Sequence, residues 1–348
     1  MSRDVIRWGI LGCGDVCEVK SGPGFQKAAG SRLVAVMRRD PGRAEDYARR
    51  HSVPRWYDDA QALIDDEEVD AVYIATPPGS HLELARRVAA AGKPCLVEKP
   101  MARHRAECEA MLDAFGKVPF FVAYYRRCLP RFGRMAERVR QLGCLHRVEY
   151  HLAKRPVEVA GERPWRLRAV DSGGGLFMDV GCHALDLLDH LFGPLKAVSG
   201  EAENRGHLYP EEDHVVMRWE HDRGLAGSAT FDFAAGADRD ELTIIGERGL
   251  LRCSLFEEAP VRWEMDGQSG SEQVPHPPHV HQPLIQSVVD ELLGRGGCPA
   301  TSTAGLRTAK VMDGVLEAYY GGRARDFWNE PSAWPGGSRD LPIHAPVL

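Results

Sequence analysis

The chain has 348 residues, 43% of them hydrophobic, and balances 44 Lys and Arg against 50 Asp and Glu for a formal net charge of −6. That length fills roughly two domains, and the acidic balance offers no basic footprint for nucleic acid. Nine cysteines without a Cys-x-x-Cys pair argue against a zinc ribbon or a disulfide framework, and no apolar run approaches the ~20 residues of a membrane span.

The chain opens on "MSRDVIRWGILGCG", where charged residues and a short apolar run lead into a glycine turn. This is unlike a signal peptide, so a cytoplasmic protein is expected. The first third alternates short apolar runs with helical patterns. "IRWGILG", "RLVAVMR", "AVYIAT", "PCLVEKP" and "FFVAY" read as strands, while "GRAEDYARRH", "SHLELARRVAAAG" and "RHRAECEAMLDAF" carry apolar residues at helical spacing. Such alternation predicts a parallel, doubly wound α/β sheet over residues 1–123.

After Tyr124 the rhythm changes. A basic helical segment, "PRFGRMAERVRQLG", precedes a strand, "LHRVEYHL", and an irregular stretch up to Ser172. Residues 173–193, "GGGLFMDVGCHALDLLDHLFG", read as a helix entered through three glycines. Five strands follow without intervening helices: "LKAVSGEAE", "DHVVMRWE", "GLAGSATFDF", "ELTIIGE" and "GLLRCSL", the last two joined as a hairpin across "GERG". Two helices, "PLIQSVVDELLG" and "GLRTAKVMDGVLEAYY", come late, and the tail from Gly321 carries no periodic signal. Residues 124–348 are thus expected to form an α+β domain with a largely antiparallel open sheet.

Four motifs carry chemistry. Gly12 and Gly14 follow the first strand in the form Gly-x-Gly-x-x-Cys, which permits a tight turn and close approach of a pyrophosphate at the next helix, opened by Asp15 and Val16. An ordinary strand-to-helix turn has the same glycines, but the βαβ context favours a Rossmann dinucleotide site. The second strand ends on "AVMRRD", placing Arg38 and Arg39 where an acid would take the adenosine ribose of NAD. Unless both are merely solvated, guanidinium groups there suit a 2′-phosphate and favour NADP over NAD, with Asp40 as the residue that restores NAD binding. "IATPPGSH", with Thr76, Pro77 and His81, and "VEKPMA", with Glu98 and Lys99, end strands at the edge where open α/β sheets bind ligands. A lysine there can hold a substrate hydroxyl or carbonyl and stabilise its negative charge.

In the helix of residues 173–193, Asp179, His183, Asp186 and His190 repeat at steps of four, three and four. A solvated face gives such a stripe, and so does an Asp that orients a His one turn away. "VPHPPHVHQ" clusters His276, His279 and His281, but with no Cys or carboxylate at ligand spacing the prolines suggest a rigid loop, and no metal is expected.

Together, "GILGCG", "AVYIATPPGSH", "CLVEKPMA" and the Gly-Gly-Gly helix, in that order, resemble the Gfo/Idh/MocA oxidoreductases, the family of glucose-fructose oxidoreductase and inositol dehydrogenase. The resemblance spans nearly the whole chain and implies hydride transfer between a nicotinamide and the hydroxyl or carbonyl carbon of a sugar, polyol or related small molecule. It implies that Lys99, Asp179 and His183 are the catalytic triplet. Glu98 matches the residue that holds the nicotinamide ribose, and Tyr125, Arg126, Arg127, Trp165 and Arg166 line the substrate pocket. Asp186 and His190 fall outside the triplet as structural residues. The resemblance also implies a homodimer or homotetramer. Cys17 in the glycine motif and Arg38 at the usual acid position depart from the family pattern. Within the family, redox-neutral glycosidases and non-catalytic regulators are the alternatives to a dehydrogenase.

Overall fold

The structure is a computed structural model that describes residues 4–159, 161–323 and 326–337; the remainder of the tail after Gly321 lies outside the described residues. Packing divides the chain into two compact units. The first runs to Ala102 and adds Ala106–Leu129 and His276–Leu306; the second takes Arg103–Arg105, Pro130–Pro275 and the chain from Arg307.

The first unit is built on six parallel strands: β1 (Ile6–Leu11), β2 (Ser31–Met37), β3 (Arg55–Tyr57), β4 (Ala71–Ile74), β5 (Cys95–Val97) and β6 (Phe120–Val122). Their spatial order is β3-β2-β1-β4-β5-β6. All four residues of β4 and all three of β5 and β6 are buried, as expected for a parallel sheet covered on both faces. The helices are α1 (Asp15–Val19), α2 (Gly22–Lys27), α3 (Pro41–Arg50), α4 (Ala60–Asp65), α5 (His81–Ala90) and α6 (Arg105–Phe115). Neither β3 nor α4 is in the sequence reading. β3 is three residues long with an exposed Trp56, and α4 is six residues capped by the Asp59 side chain on the Ala62 N–H, so both are too short to show a period. The strand order reverses between β1 and β4, and the loops after these strands meet at that switch point.

In the second unit α7 (Pro130–Val139) precedes an eight-stranded sheet. Its strands are β7 (Leu145–Ala153), β8 (Lys196–Glu203), β9 (His214–Glu220), β10 (Ala226–Asp232), β11 (Arg239–Gly246), β12 (Gly249–Cys253), β13 (Val261–Met265) and β14 (Gln268–Glu272). They lie in the order β14-β13-β12-β11-β7-β10-β9-β8, antiparallel throughout except for the β7–β10 pair. Residues of β9 alternate: Val215, Met217 and Trp219 are buried while Val216, Arg218 and Glu220 face outward. The hairpin across "GERG" forms between β11 and β12. β13 and β14 extend the edge beyond the six strands read from sequence: "VRWEM" alternates Val261, Trp263 and Met265 with charged residues but over only five positions, and "QSGSE" has no apolar side chain. α8 (Ala169–Ser172) and α9 (Cys182–Phe192) complete the segment before β8.

The last two helices are α10 (Gln282–Leu292) and α11 (Ser302–Tyr320). The division at 123/124 follows chain order, whereas packing returns His276–Leu306 to the first unit. The Gln286 side chain of α10 explains this: it accepts from the Ala29 N–H at 2.7 Å and donates to the Ala29 carbonyl at 3.1 Å, as a neighbouring strand would. Among the described residues no helix is long and apolar enough to cross a membrane.

Candidate active site

In the first unit the turn after β1 is shaped by Gly12, whose φ of +87° belongs to the region that favours glycine. A Cβ there would lie 2.6 Å from Thr76 Cγ2, so the loop after β4 closes against the turn only because Gly12 has no side chain. Gly12 and Cys13 both donate N–H to the Met37 carbonyl, at 2.9 and 3.2 Å, which ties the turn to the end of β2. The space above Gly14 is open, its nearest neighbour being the Gly12 carbonyl 3.9 Å from an added Cβ. The residues therefore fit a dinucleotide: a tight turn at the switch point, an open backbone face for a pyrophosphate, and basic groups at the end of β2.

Arg38 is half-buried and its Nη1 donates to the Cys13 carbonyl at 3.4 Å, while Arg39 is exposed. Asp40 is occupied otherwise than the sequence suggests. It caps α3, accepting from the Arg43 N–H at 3.1 Å ahead of Pro41, a common use of Asp before a proline-initiated helix. The atypical Cys17 is buried, and burial pushes its thiol well above the ordinary range. Its carbonyl accepts from Tyr47 at 2.9 Å, so the side chain fills the helix packing behind the turn.

Thr76 Oγ1 accepts from Ser80 at 2.7 Å, and the Pro77 carbonyl accepts from the Ser80 N–H at 3.1 Å. His81 is completely buried, with Nε2 2.7 Å from the Thr76 carbonyl and Nδ1 3.1 Å from the Met101 carbonyl. It joins the loop after β4 to the segment after Lys99 from beneath, and burial holds its pKa below the usual imidazole value.

Glu98 directly follows β5 and is buried, which raises its pKa; the Lys99 charge and the Tyr73 hydroxyl pull it back. One carboxylate oxygen accepts from Tyr73, the other from the Lys99 N–H at 3.2 Å. Tyr125 and Arg126 are both buried, and Arg126 Nη1 donates to the Tyr125 hydroxyl at 2.9 Å. Arg127 turns to the Pro299 carbonyl at 3.2 Å.

In the second unit the glycine run is an anchored entry rather than a plain helix start. Gly173 has φ +85°, and a Cβ would sit 2.7 Å from Arg103 Cα. Gly175 N–H donates to both oxygens of Glu212, at 3.0 and 2.9 Å. A π-helical turn, Phe177–Gly181, then leads into α9, a feature frequent at functional sites. Phe177 meets Phe231 of β10 edge to face at 4.9 Å, fixing the turn on the sheet. Asp179 sits in that turn, its Oδ2 accepting from Arg166 Nε at 2.9 Å. His183 opens α9, 7% exposed, with the Phe256 ring edge-on at 6.0 Å. Trp165 lies half-buried beneath its neighbour's guanidinium, 4.4 Å from ring centroid to Arg166 Cζ.

The polar stripe is therefore not a solvated face as a whole: His183 and Asp186 are buried, and only His190 is exposed. Sequence reasoning missed four contributors. Asp189 is held by Arg307 through two hydrogen bonds of 2.8 and 2.6 Å. The acids Glu211 and Glu212 hold the approach to the glycine run, Glu211 accepting from the Ala169 N–H at 2.9 Å and from Arg163 at 3.0 Å. Arg323 donates to the Gly173 carbonyl at 2.6 Å. Only the run of three acids in "PEEDHV" was a signal available in the sequence. Among the described residues no three His, Cys, Asp or Glu side chains group as metal ligands, and His279 instead meets Lys27 Nζ at 2.9 Å and the Val19 carbonyl at 2.8 Å.

Residues 6–124 match the family described as "Oxidoreductase family, NAD-binding Rossmann fold", and residues 134–252 match the "GFO/IDH/MocA C-terminal domain". Oxidoreductase P35 of Formosa agariphila is 36% identical over 317 residues, covering 88% of this chain and 97% of the relative. The trans-1,2-dihydrobenzene-1,2-diol dehydrogenase of Bos taurus is 28% identical over 71% of this chain and 73% of its own. The crystal structure of aldose-aldose oxidoreductase from Caulobacter crescentus, complexed with glycerol, shares the fold at a TM-score of 0.80 and 23% identity, covering 90% of this chain and 97% of that one. With both halves matched in order and a relative of 36% identity spanning almost its full length, the chain belongs to the Gfo/Idh/MocA family and is an NAD(P)-dependent oxidoreductase acting on CH–OH groups.

Proposed function

We propose that the protein is a dehydrogenase or reductase of a sugar, polyol or cyclic diol that prefers NADP, with Lys99, Asp179 and His183 as its catalytic residues. The observation that carries this reading is the complete set of Lys99 at the end of β5 and Asp179 and His183 around the π-turn, one part in each family-matched stretch. The nicotinamide, when bound, supplies or accepts hydride at C4. Lys99 holds the substrate oxygen and stabilises its developing negative charge. His183 exchanges the proton with that oxygen, the general acid–base role an imidazole can take. Asp179, itself fixed by Arg166, orients the imidazole. Gly12, Gly14, Asp15 and Val16 take the pyrophosphate, and Thr76, Pro77 and Glu98 take the nicotinamide half. His81 supports that loop, and Tyr125, Arg126 and Trp165 shape the substrate side.

The substrate class is supported by relatives that are named for an aldose and for a dihydrobenzenediol. The same reading has a cytoplasmic homodimer or homotetramer, supported by cysteines scattered without a Cys-x-x-Cys spacing and by the exposed Val216 on the outward face of β9. Aldoses, inositols and cyclic dihydrodiols, screened with both cofactors by nicotinamide absorbance, should give net turnover. A glycoside cleaved while the bound cofactor ends each cycle unchanged would replace the dehydrogenase reading with the redox-neutral one.

The NADP preference rests on Arg38, whose guanidinium donates to the Cys13 carbonyl while the neighbouring Asp40 is engaged as a helix cap. A charge-assisted bond to a 2′-phosphate contributes on the order of 1.5 to 3 kcal/mol, roughly tenfold or more in affinity. Fluorescence titration should show NADPH bound at least that much more tightly than NADH, and Arg38→Ala should erase the difference. Equal affinities in the parent protein would reject the assignment.

A further inference from the structure

The "VPHPPHVHQ" segment is accounted for by neither the glycine turn nor the catalytic set, yet the fold brings it to the edge of the first unit where Glu98 lies. His279 is tied down through both ring nitrogens, to Lys27 and to the Val19 carbonyl, and its own carbonyl accepts from the Gln282 N–H at 2.9 Å. With α10 also fixed to Ala29, the residue just before it has little freedom. That residue is His281, 2% exposed, its ring packed on Tyr125 with centroids 4.5 Å apart and its Nδ1 3.6 Å from Glu98 Oε1.

We propose that His281 is a positioning residue of the cofactor site: it presents the polar edge of a neutral imidazole to the Glu98 carboxylate, and so keeps that carboxylate ionised and aimed at the nicotinamide ribose. This rests on the reading of Glu98 as the ribose acceptor. The charge of Glu98 is costly where it lies, because burial favours the protonated acid. Its polar neighbours come from four elements: Tyr73 on β4, Lys99 following β5, Lys20 following α1, and His281 before α10. The Cys17 thiol of α1 also faces it, neutral and buried. His281 is surrounded by burial and by the cations Lys20, Lys99 and Arg126, which push its pKa down to about 3. It therefore stays neutral across the working range and cannot compete with Lys99 as a charge. In the Nδ1–H tautomer, the N–H acts at 3.6 Å as a dipole beside the carboxylate rather than as a formed hydrogen bond. A carboxylate with several such donors remains ionised to lower pH.

The test is the pH profile of cofactor affinity, read by NADPH fluorescence titration on the full chain from about pH 5 to pH 9. The variants are His281→Phe and His281→Met, which fill the space without an N–H, His281→Gln, which restores one, and Glu98→Gln. Circular dichroism establishes that each is folded, and either apolar variant suffices if the other is not. The parent should lose affinity on the acid side as Glu98 takes up a proton. The apolar variants should move that limb to higher pH by roughly one unit, weakening binding about tenfold within the window. His281→Gln should move it back, and Glu98→Gln should have no such limb. An apolar variant whose limb coincides with the parent's, while Glu98→Gln loses it, overturns the role of His281 and leaves the ribose reading intact. A Glu98→Gln profile equal to the parent's overturns the ribose reading and this inference with it.

Discussion

His183→Ala and Lys99→Met should each slow hydride transfer by roughly 10² to 10⁴-fold, the range expected when a group that moves a proton or stabilises charge at the reacting oxygen is removed. NADPH affinity should change little in His183→Ala, because the groups assigned to phosphates and ribose are the Gly12–Gly14 turn, Arg38 and Glu98, whereas Lys99→Met should also weaken it on the acid side, since the Lys99 charge helps to hold the buried Glu98 ionised. Asp179→Asn should be comparable or milder: it leaves the imidazole in place and removes the charge that Arg166 holds at 2.9 Å. Arg166→Ala, which leaves that carboxylate without this clamp, should fall between Asp179→Asn and the parent. His190→Ala is the internal control, since His190 shares the stripe but is exposed at its far end. Single-turnover measurements with saturating NADPH separate hydride transfer from binding. If His183→Ala transferred hydride at the parental rate, the stripe would revert to a buried structural face.

Those residues were legible in sequence for different reasons. The parallel sheet showed itself because its strands are buried on both faces and read as apolar runs, with β4 and β5 as the plainest cases. The Lys99 position followed from the strand that carries it. The spacing of Asp179 and His183 suggested adjacent helical turns, but the π-turn between Phe177 and Gly181 leaves no mark on composition. The partner of Asp179 was equally hidden: Arg166 lies 13 residues upstream across an irregular stretch with no period to read. His281 was visible only as part of a histidine-rich loop. Its contact with Glu98 depends on α10 returning to the first unit, and a chain-order division of domains cannot anticipate that return. The three glycines announced an entry into a helix, and what they are fastened to comes from residues far along the chain.

The largest expected loss of stability follows from one of those fastenings. Arg323 is 3% exposed and makes four directed contacts within the second unit: Nε to Asp313 Oδ1 at 2.8 Å, Nη1 to the Gly173 carbonyl at 2.6 Å, and Nη2 to the Arg103 carbonyl at 2.7 Å and to Met178 Sδ at 3.4 Å. Its guanidinium also lies over the rings of Tyr320 and Phe327, with Cζ 5.1 and 4.8 Å from their centroids. Arg323→Ala would remove the guanidinium donor from the buried Gly173 carbonyl and the part-buried Arg103 carbonyl, and the cation facing Asp313. Leaving a buried acceptor unsatisfied costs about 1 to 3 kcal/mol, and breaking a fully buried pair from one side about 3 to 5; because Asp313 is only half-buried and also accepts from the Arg105 N–H at 2.7 Å, the loss here should lie toward the lower end. Arg323→Lys keeps the charge for Asp313 but cannot span both carbonyls, so it should recover only part of the loss. Trp334, whose ring meets Tyr320 edge-on at 4.6 Å, provides a fluorescence reporter for denaturant unfolding of this region. An Arg323→Ala variant that unfolded at the parental denaturant concentration would show that the carbonyls find water instead. The functional consequence separates anchoring from mere bulk stability. Because Gly173 opens the segment that carries Asp179 and His183, the lysine variant, measured well below its melting temperature, should lose hydride-transfer rate before it loses NADPH affinity.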